Sequence, residues 1–420
     1  MNCLTSKELR RMKNVPDIRF KGFEDEWERL VVSDLLQVNK TLNTDNRYGR
    51  EDVLSVSDEC GIVNQIKYLG RSYAGKSGLK YKVVKPNQIV YTKSPLKDKP
   101  YGIVKQSDIY GIVSSLYAVY DIIGNCIPSY IQWYFEPYYR INKYFRPLVN
   151  KGAKNTINIS DTNSVTGTIY IPKIVEQTII SSYLEFLSKH INDTTKKIAS
   201  LKQLKSASLI SMFPQQGETV PRVRFKGFDG EWKICELKQF AFKVTRKNCD
   251  KEFTKTFTNS AEFGVINQNE YFDRTISNSE NIGGYYVVEN NDYIYNPRVS
   301  TLAPVGPINR NKLGYTGVVS PLYLVFKTNN IDKDYLDVFF NTNLWHRYMK
   351  LEGNCGARFD RLSISDELFF EMPIILPSNE AEQRQIASYF RNLDIQISEQ
   401  EKRLEKLKQI KAACLDKMFV

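Results

Sequence analysis

The sequence is poor in histidine: His190 and His346 are the only two in 420 residues. That leaves little material for a histidine-based triad or a His-rich metal site, and each histidine is read as a structural or surface residue. The cysteines Cys3, Cys60, Cys126, Cys235, Cys249, Cys355 and Cys414 are odd in number and scattered, with no C-x-x-C pair. This argues against a zinc site or a disulfide framework and fits reduced thiols in a cytoplasmic protein. No run approaches the ~20 apolar residues of a membrane span, and the opening MNCLTSKELRRMKN lacks an apolar signal core. There is no N-P-P-[YF] or D-P-P-[YF] tetrapeptide and no glycine-rich nucleotide loop after a strand, so a self-contained adenine methyltransferase is excluded.

What is present begins with a surplus of positive charge. Lys plus Arg number 59 against 47 Asp plus Glu, a net charge of +12, which favours a polyanionic partner. Apolar residues make up 42% and charged residues 25%, enough for packed cores in two to four domains.

The chain is a tandem repeat. Val15-Pro16-Asp17-Ile18-Arg19-Phe20-Lys21-Gly22-Phe23 returns as Val220-Pro221-Arg222-Val223-Arg224-Phe225-Lys226-Gly227-Phe228, and Glu26-Trp27 returns as Glu231-Trp232. Gly111-Ile112-Val113-Ser114-Ser115-Leu116-Tyr117 returns as Gly317-Val318-Val319-Ser320-Pro321-Leu322-Tyr323. Gly152-Ala153-Lys154 matches Gly356-Ala357-Arg358, Glu176-Gln177 matches Glu382-Gln383, and Met212-Phe213 matches Met418-Phe419. Collinear matches of this extent make each half one structural unit. Each half opens with a V-P-x-x-R-F-K-G-F-x-x-E-W segment, continues with short Val/Ile/Tyr-rich runs between turn residues that read as strands, and closes with a long helix.

Neither Pro nor Gly interrupts Glu176–Phe213 or Glu382–Phe419, while Pro172 and Pro377 stand just before them. Apolar residues alternate at spacings of four and three: Ile180, Leu184, Leu187, Ile191, Ile198 and Leu201 in the first helix, Ile386, Phe390, Leu393, Ile397, Leu404 and Leu407 in the second. Thr194 and Gln400 occupy matching polar places in these seams. The pattern predicts two helices packed on each other, antiparallel because two like halves close around a local two-fold.

Two enzyme-like fragments are present. Gly70-Arg71-Ser72-Tyr73-Ala74-Gly75-Lys76-Ser77 matches the phosphate-loop pattern G-x-x-x-x-G-K-[ST]. That loop requires a strand before and a helix after, whereas the residues after it read as strand and turn. A basic loop touching DNA phosphate, through Lys76, is the better reading. Glu231-Trp232-Lys233 supplies an E-x-K fragment, but the first half has Glu28 in the lysine's place, and the flanking residues are the repeated leading segment. A structural role is expected there.

Positive charge is uneven. From Cys60 to Ser160 there are 15 Lys/Arg against 4 Asp/Glu; from Val265 to Ser365 there are 10 of each. The basic residues of the first window interleave with aromatics, as in Lys80-Tyr81-Lys82 and Tyr138-Tyr139-Arg140 through Lys143-Tyr144-Phe145-Arg146. Phosphate contact is expected from Lys76, Lys80, Lys82, Arg140, Lys143, Arg146 and Lys154. The neutral second module would lean on Asn, Gln and Arg298, Arg310, Arg358 and Arg361.

Paired leading segments, two divergent modules and two similar helices together resemble the specificity (S) subunits of type I restriction–modification systems. The G-A-[KR] segment, followed by Ile171-Pro172 or Leu376-Pro377 and then Glu-Gln-x-x-Ile, is the most specific part. The resemblance implies an α+β chain with two mixed α/β target-recognition domains in pseudo-two-fold repeat, separated by an antiparallel coiled coil. The expected divisions are an N-terminal segment at 1–16, domains at 17–172 and 220–377, and helices with linkers at 173–219 and 378–420. It also implies a non-catalytic, cytoplasmic chain that binds double-stranded DNA and no membrane. The chain itself holds no cofactor or metal. Its partners are two modification (M) subunits carrying S-adenosylmethionine, with restriction (R) subunits bringing ATP and Mg through the M–S complex. The competing expectations are a coiled-coil scaffold without DNA affinity and a nucleotide-binding enzyme using Gly70–Ser77.

Overall fold

Ile89-Val90-Tyr91-Thr92 is buried along its whole length, as expected of a β-branched and aromatic strand covered on both faces. In the computed structural model, which describes residues 14–72, 80–96, 99–151, 157–268, 282–355 and 360–420, this strand is central to an antiparallel sheet. The sheet order is Leu36–Val38, Tyr117–Ile122, Ile89–Thr92, Ile103–Gln106. The matching strands of the second half, Ala241–Lys243, Leu324–Thr328, Tyr293–Tyr295 and Ile308–Arg310, form a sheet in the same order.

The chain divides into two compact units, Met1–Thr195 with Lys402–Val420, and Lys196–Glu401. In each, alternate residues of the central strand feed different cores. Ile89 and Tyr91 join a large cluster with Trp27, Tyr130 and Phe145, while Val90 joins Leu54, Val84, Val113 and Val119. In the second unit Tyr293 and Tyr295 join Trp232, Phe326 and Phe369, while Ile294 joins Phe257, Val288, Val319 and Val325.

Two repeated glycines have steric reasons. Gly102 and Gly306 sit at φ +88° and +83°, and a Cβ there would lie 1.9 Å from Thr92 O or 2.1 Å from Asn296 O. Gly111 and Gly317, which open the repeated Gly-[IV]-V-S segment, would drive a Cβ to 2.5 Å from Asp52 O or 2.7 Å from Lys255 O. Only glycine permits these backbone approaches.

The long helices span Ile174–Ser211 and Glu380–Lys417, 38 residues each, displaced by two residues from the expected spans. Met212-Phe213 and Met418-Phe419 leave the helices and are buried. The leading segments satisfy carbonyls of the last helical turns: Ile18 N donates to Lys417 O and Val223 N to Ser211 O, both at 2.9 Å. The helix starts are bound through the repeated Glu-Gln. Arg19 grips Glu176 and Arg224 grips Glu382, and Gln177 and Gln383 donate to Pro172 O and Pro377 O at 2.8 and 3.2 Å.

The seam residues Ile180, Leu184, Leu187, Ile198, Ile386, Phe390, Leu393 and Ile397 are buried, while Ile191, Leu201, Leu404 and Leu407 are half-buried. The early seam is shared with the modules, not reserved for helix pairing. Ile180, Leu184 and Leu187 belong to the cluster of Trp27, Tyr130 and Phe419, and Ile386, Phe390 and Leu393 to that of Phe213 and Trp232. Within the second unit, Lys202–Glu401 at 2.7 Å, Lys205–Asp394 at 2.5 Å and Ser208–Tyr389 at 3.0 Å link the helices in opposite chain order. Trp27 and Trp232 are core anchors, only 3% and 5% exposed.

Candidate nucleic-acid interface

The expected contact residues separate into exposed and internally committed groups. Lys80, Lys143 and Arg146 are exposed and make no ion pair among the described residues. Arg298 and Arg361 are exposed and are joined by an antiparallel bridge, so residues far apart in sequence present two guanidinium side chains from adjacent backbone. Lys76, Lys154 and Arg358 lie outside the described residues.

Arg140 is corrected. Its helix, Tyr138–Phe145, buries Arg140, Ile141, Tyr144 and Phe145 on one face. The guanidinium donates to Tyr134 O at 3.0 Å and to Leu415 O, and lies 4.5 Å from the Phe419 ring centroid. A cation spent on internal carbonyls and an aromatic face is a packing element, not a phosphate contact. Arg310 is corrected likewise: it donates to Asp334, and to Asp337 at 2.7 Å, with its side chain 9% exposed.

Lys82 is also neutralised in place. It pairs with Asp161 and donates to Tyr117 O at 2.8 Å, and Lys93 meets the same aspartate at 2.5 Å. Burial alone would push the Asp161 carboxyl up, but hydrogen bonds from Lys82 and Lys93, with their charges, hold it below the ordinary carboxylate range. Lys99 pairs with Asp58, and Lys105 with Glu136 at 2.6 Å. Asp58 and Asp161 stand just outside the window Cys60–Ser160, so the count over that window overstates the free positive charge. The available signal was the repeat itself: Ile159-Ser160-Asp161 matches Ile364-Ser365-Asp366, and Asp366 pairs with Lys243.

The Gly70–Ser77 segment has the wrong surroundings for a nucleotide loop. A helix, Gln65–Leu69, precedes it and ends on Gly70 at φ 72°, and a strand, Lys82–Val84, follows its last residues. Residues 73–79 lie outside the described set. A helix before and a strand after invert the order that aims a helix N-terminus at phosphates. Glu231-Trp232-Lys233 is structural: Glu231 accepts from Thr219 Oγ1 at 3.1 Å, Trp232 is buried, and Lys233 pairs in a strand with Leu376. The histidines also have structural surroundings. His190 packs on Phe186 at 4.0 Å between ring centroids, and burial, with Lys350 nearby, pushes the His346 imidazole down. Among the described residues no His/Cys/Asp/Glu group could hold a metal ion, and no helix is long and apolar enough to cross a membrane.

The uncommitted cations Lys80, Lys143, Arg146, Arg298 and Arg361 stand exposed on two modules of one sheet design. Residues 229–409 match the family model described as Type I restriction modification DNA specificity domain. The fold is similar to that of the type I restriction–modification S subunit from M. genitalium, at 11% identity and TM-score 0.56, covering 97% of this chain and 99% of that one. A weaker likeness joins it to the HsdS subunit from Thermoanaerobacter tengcongensis, at 14% identity and TM-score 0.43, covering 94% and 96% of the two chains. No curated protein sequence matches the chain. The family match falls on the second repeat, which thus carries a type I restriction–modification DNA specificity domain, and the first repeat shares its motifs and sheet order. The chain's function is DNA sequence recognition, and subunits of this family are non-catalytic.

Proposed function

We propose that each unit reads one half of a bipartite duplex target, that the two long helices pair as an antiparallel coiled coil and set the gap, and that the paired helices dock two M subunits. Those subunits carry S-adenosylmethionine; R subunits join through the M–S complex with ATP and Mg. The domain divisions proposed are those at 17–172 and 220–377. The observation that carries this reading is one sheet order with different chemistry at equal places. Lys82, Lys93 and Val38 of the first unit correspond by strand register to Tyr286, Pro297 and Lys243 of the second. A shared scaffold with divergent side chains suits two readers of unlike half-sites. Direct readout falls to Arg298, Arg361 and Arg358, and backbone positioning to Lys80, Lys143, Arg146, Lys76 and Lys154.

The docking scheme is tested by native mass spectrometry of the chain with its M subunit, where two copies per chain are expected at saturation. Long-read methylation mapping in a host carrying both proteins tests the reading function. A split motif with a fixed gap is expected, and an unsplit motif would reject the two-reader scheme.

A further inference from the structure

The repeated Ile-Ser-Asp turn is filled in one unit and open in the other. In the first unit, Lys82 and Lys93 both converge on Asp161. In the second, tyrosine and proline replace these lysines, Asp366 pairs with Lys243, and a cavity of about 230 Å³ opens between Tyr286, Pro297, Leu322, Tyr323, Lys243 and Asp366. Three tyrosines, Tyr286, Tyr295 and Tyr323, line it beside the Lys243–Asp366 pair, and its exposed lining is more polar than apolar, so ring faces and hydrogen-bonding groups stand together. At its edge Leu322 is 56% exposed, yet it is held on a closed turn, with Tyr323 N donating to Ser320 O at 3.0 Å and Leu322 N to Ser320 Oγ at 3.4 Å. Exposed Arg298 follows Pro297 in the chain, and exposed Arg361 precedes Leu362, whose N–H donates to Pro297 O at 2.9 Å.

Aromatic walls, a donor–acceptor pair, a rigid apolar projection and two adjacent cations match what an extrahelical base requires: stacking, edge hydrogen bonds, a filler for the vacated stack, and phosphate contacts. We propose that this cavity receives one nucleobase everted from the bound duplex, with Leu322 entering the stack it leaves. The proposal rests on the reading of the second unit as a DNA reader. The first unit keeps the matching exposed leucine, Leu116, but its lysines occupy the place of the cavity, so its half-site keeps all bases stacked against this unit.

The test uses the full chain in complex with its M subunits, on duplexes of the mapped target carrying fluorescent aminopurine at successive positions. Positions at the methylated adenines are excluded, because the M subunits act there. One position in the second unit's half-site should brighten several-fold on binding, and none in the first unit's. Tyr286→Lys combined with Pro297→Lys, which rebuilds the ion set of the first unit, should abolish the signal while thermal melting is kept. Leu322→Ala should weaken the signal without altering the fold. Normal binding to the mapped target with no responding position would overturn the proposal, as would a signal unchanged in the double variant. Loss of sequence-selective binding by the unmodified complex would instead overturn the DNA-reading assignment itself.

Discussion

Arg19 and Glu176 are joined by two hydrogen bonds, Nε to Oε1 at 2.7 Å and Nη2 to Oε2 at 2.8 Å, with the glutamate in the first turn of the long helix. Arg224 and Glu382 repeat the pair at 2.7 and 2.8 Å. Both carboxylates are about 1% exposed, so this forked pair fixes the direction in which each helix leaves its module.

Removing one partner leaves a buried charge without its counterion. Arg19→Ala or Arg224→Ala is expected to destabilise the unit concerned by about 3 to 5 kcal/mol. Arg→Lys should recover only part of this, because an ammonium cannot reproduce the two-pronged geometry. Hydrogen exchange on the full chain checks it: protection should fall first in the unit that holds the substitution.

Exposed and buried cations should behave differently. Lys80→Ala, Lys143→Ala and Arg146→Ala should each weaken DNA binding across all sequences and flatten the salt slope by about one unit per lost phosphate contact. Arg140→Ala should instead lower the melting temperature, because Leu415 O and Tyr134 O lose their donor. Binding titrations over a salt series, paired with melting curves, separate the two classes.

Asp292 makes stability depend on pH. Burial raises its carboxyl to about 6, although Glu289 N donates to it at 2.8 Å and Lys327 lies nearby. A folded-state value above the unfolded one means that the folded chain binds this proton more tightly. The contribution is therefore fully present below the ordinary carboxylate value and is lost as pH rises through about 6. Asp292→Asn, which can still accept from Glu289 N, should flatten this part of the curve and stabilise by about 1 to 2 kcal/mol at neutral pH. Denaturant titrations at a series of pH values check it, and an unchanged slope would contradict the assignment.

The repeat and the helices were legible because they are periodic or duplicated. The repeated Glu-Gln stood out in the sequence before its work was visible: it binds the leading arginine and a proline carbonyl. Charge pairing was less legible, because it depends on which strands meet. Lys82 and Asp161 are 79 residues apart in sequence, and no local window holds both. Arg140 misled for a different reason. Its neighbours Tyr138, Tyr139, Lys143 and Arg146 are exposed, but helical geometry turns it to the face of Ile141, Tyr144 and Phe145, where a guanidinium can be buried against carbonyls and rings. The cavity beside Asp366 was invisible in sequence, since it appears only when Tyr286, Pro297 and Leu322 are brought together by the sheet.

The central claim, that two similar modules read independently, is tested most directly by exchanging residues 222–375 for the matching region of a relative and mapping methylation in a host that supplies the M subunit. The account predicts that one half of the methylated motif changes while the other half and the gap stay as they were. A motif altered in both halves would contradict it, and the paired repeat would then have to act as one composite reading surface.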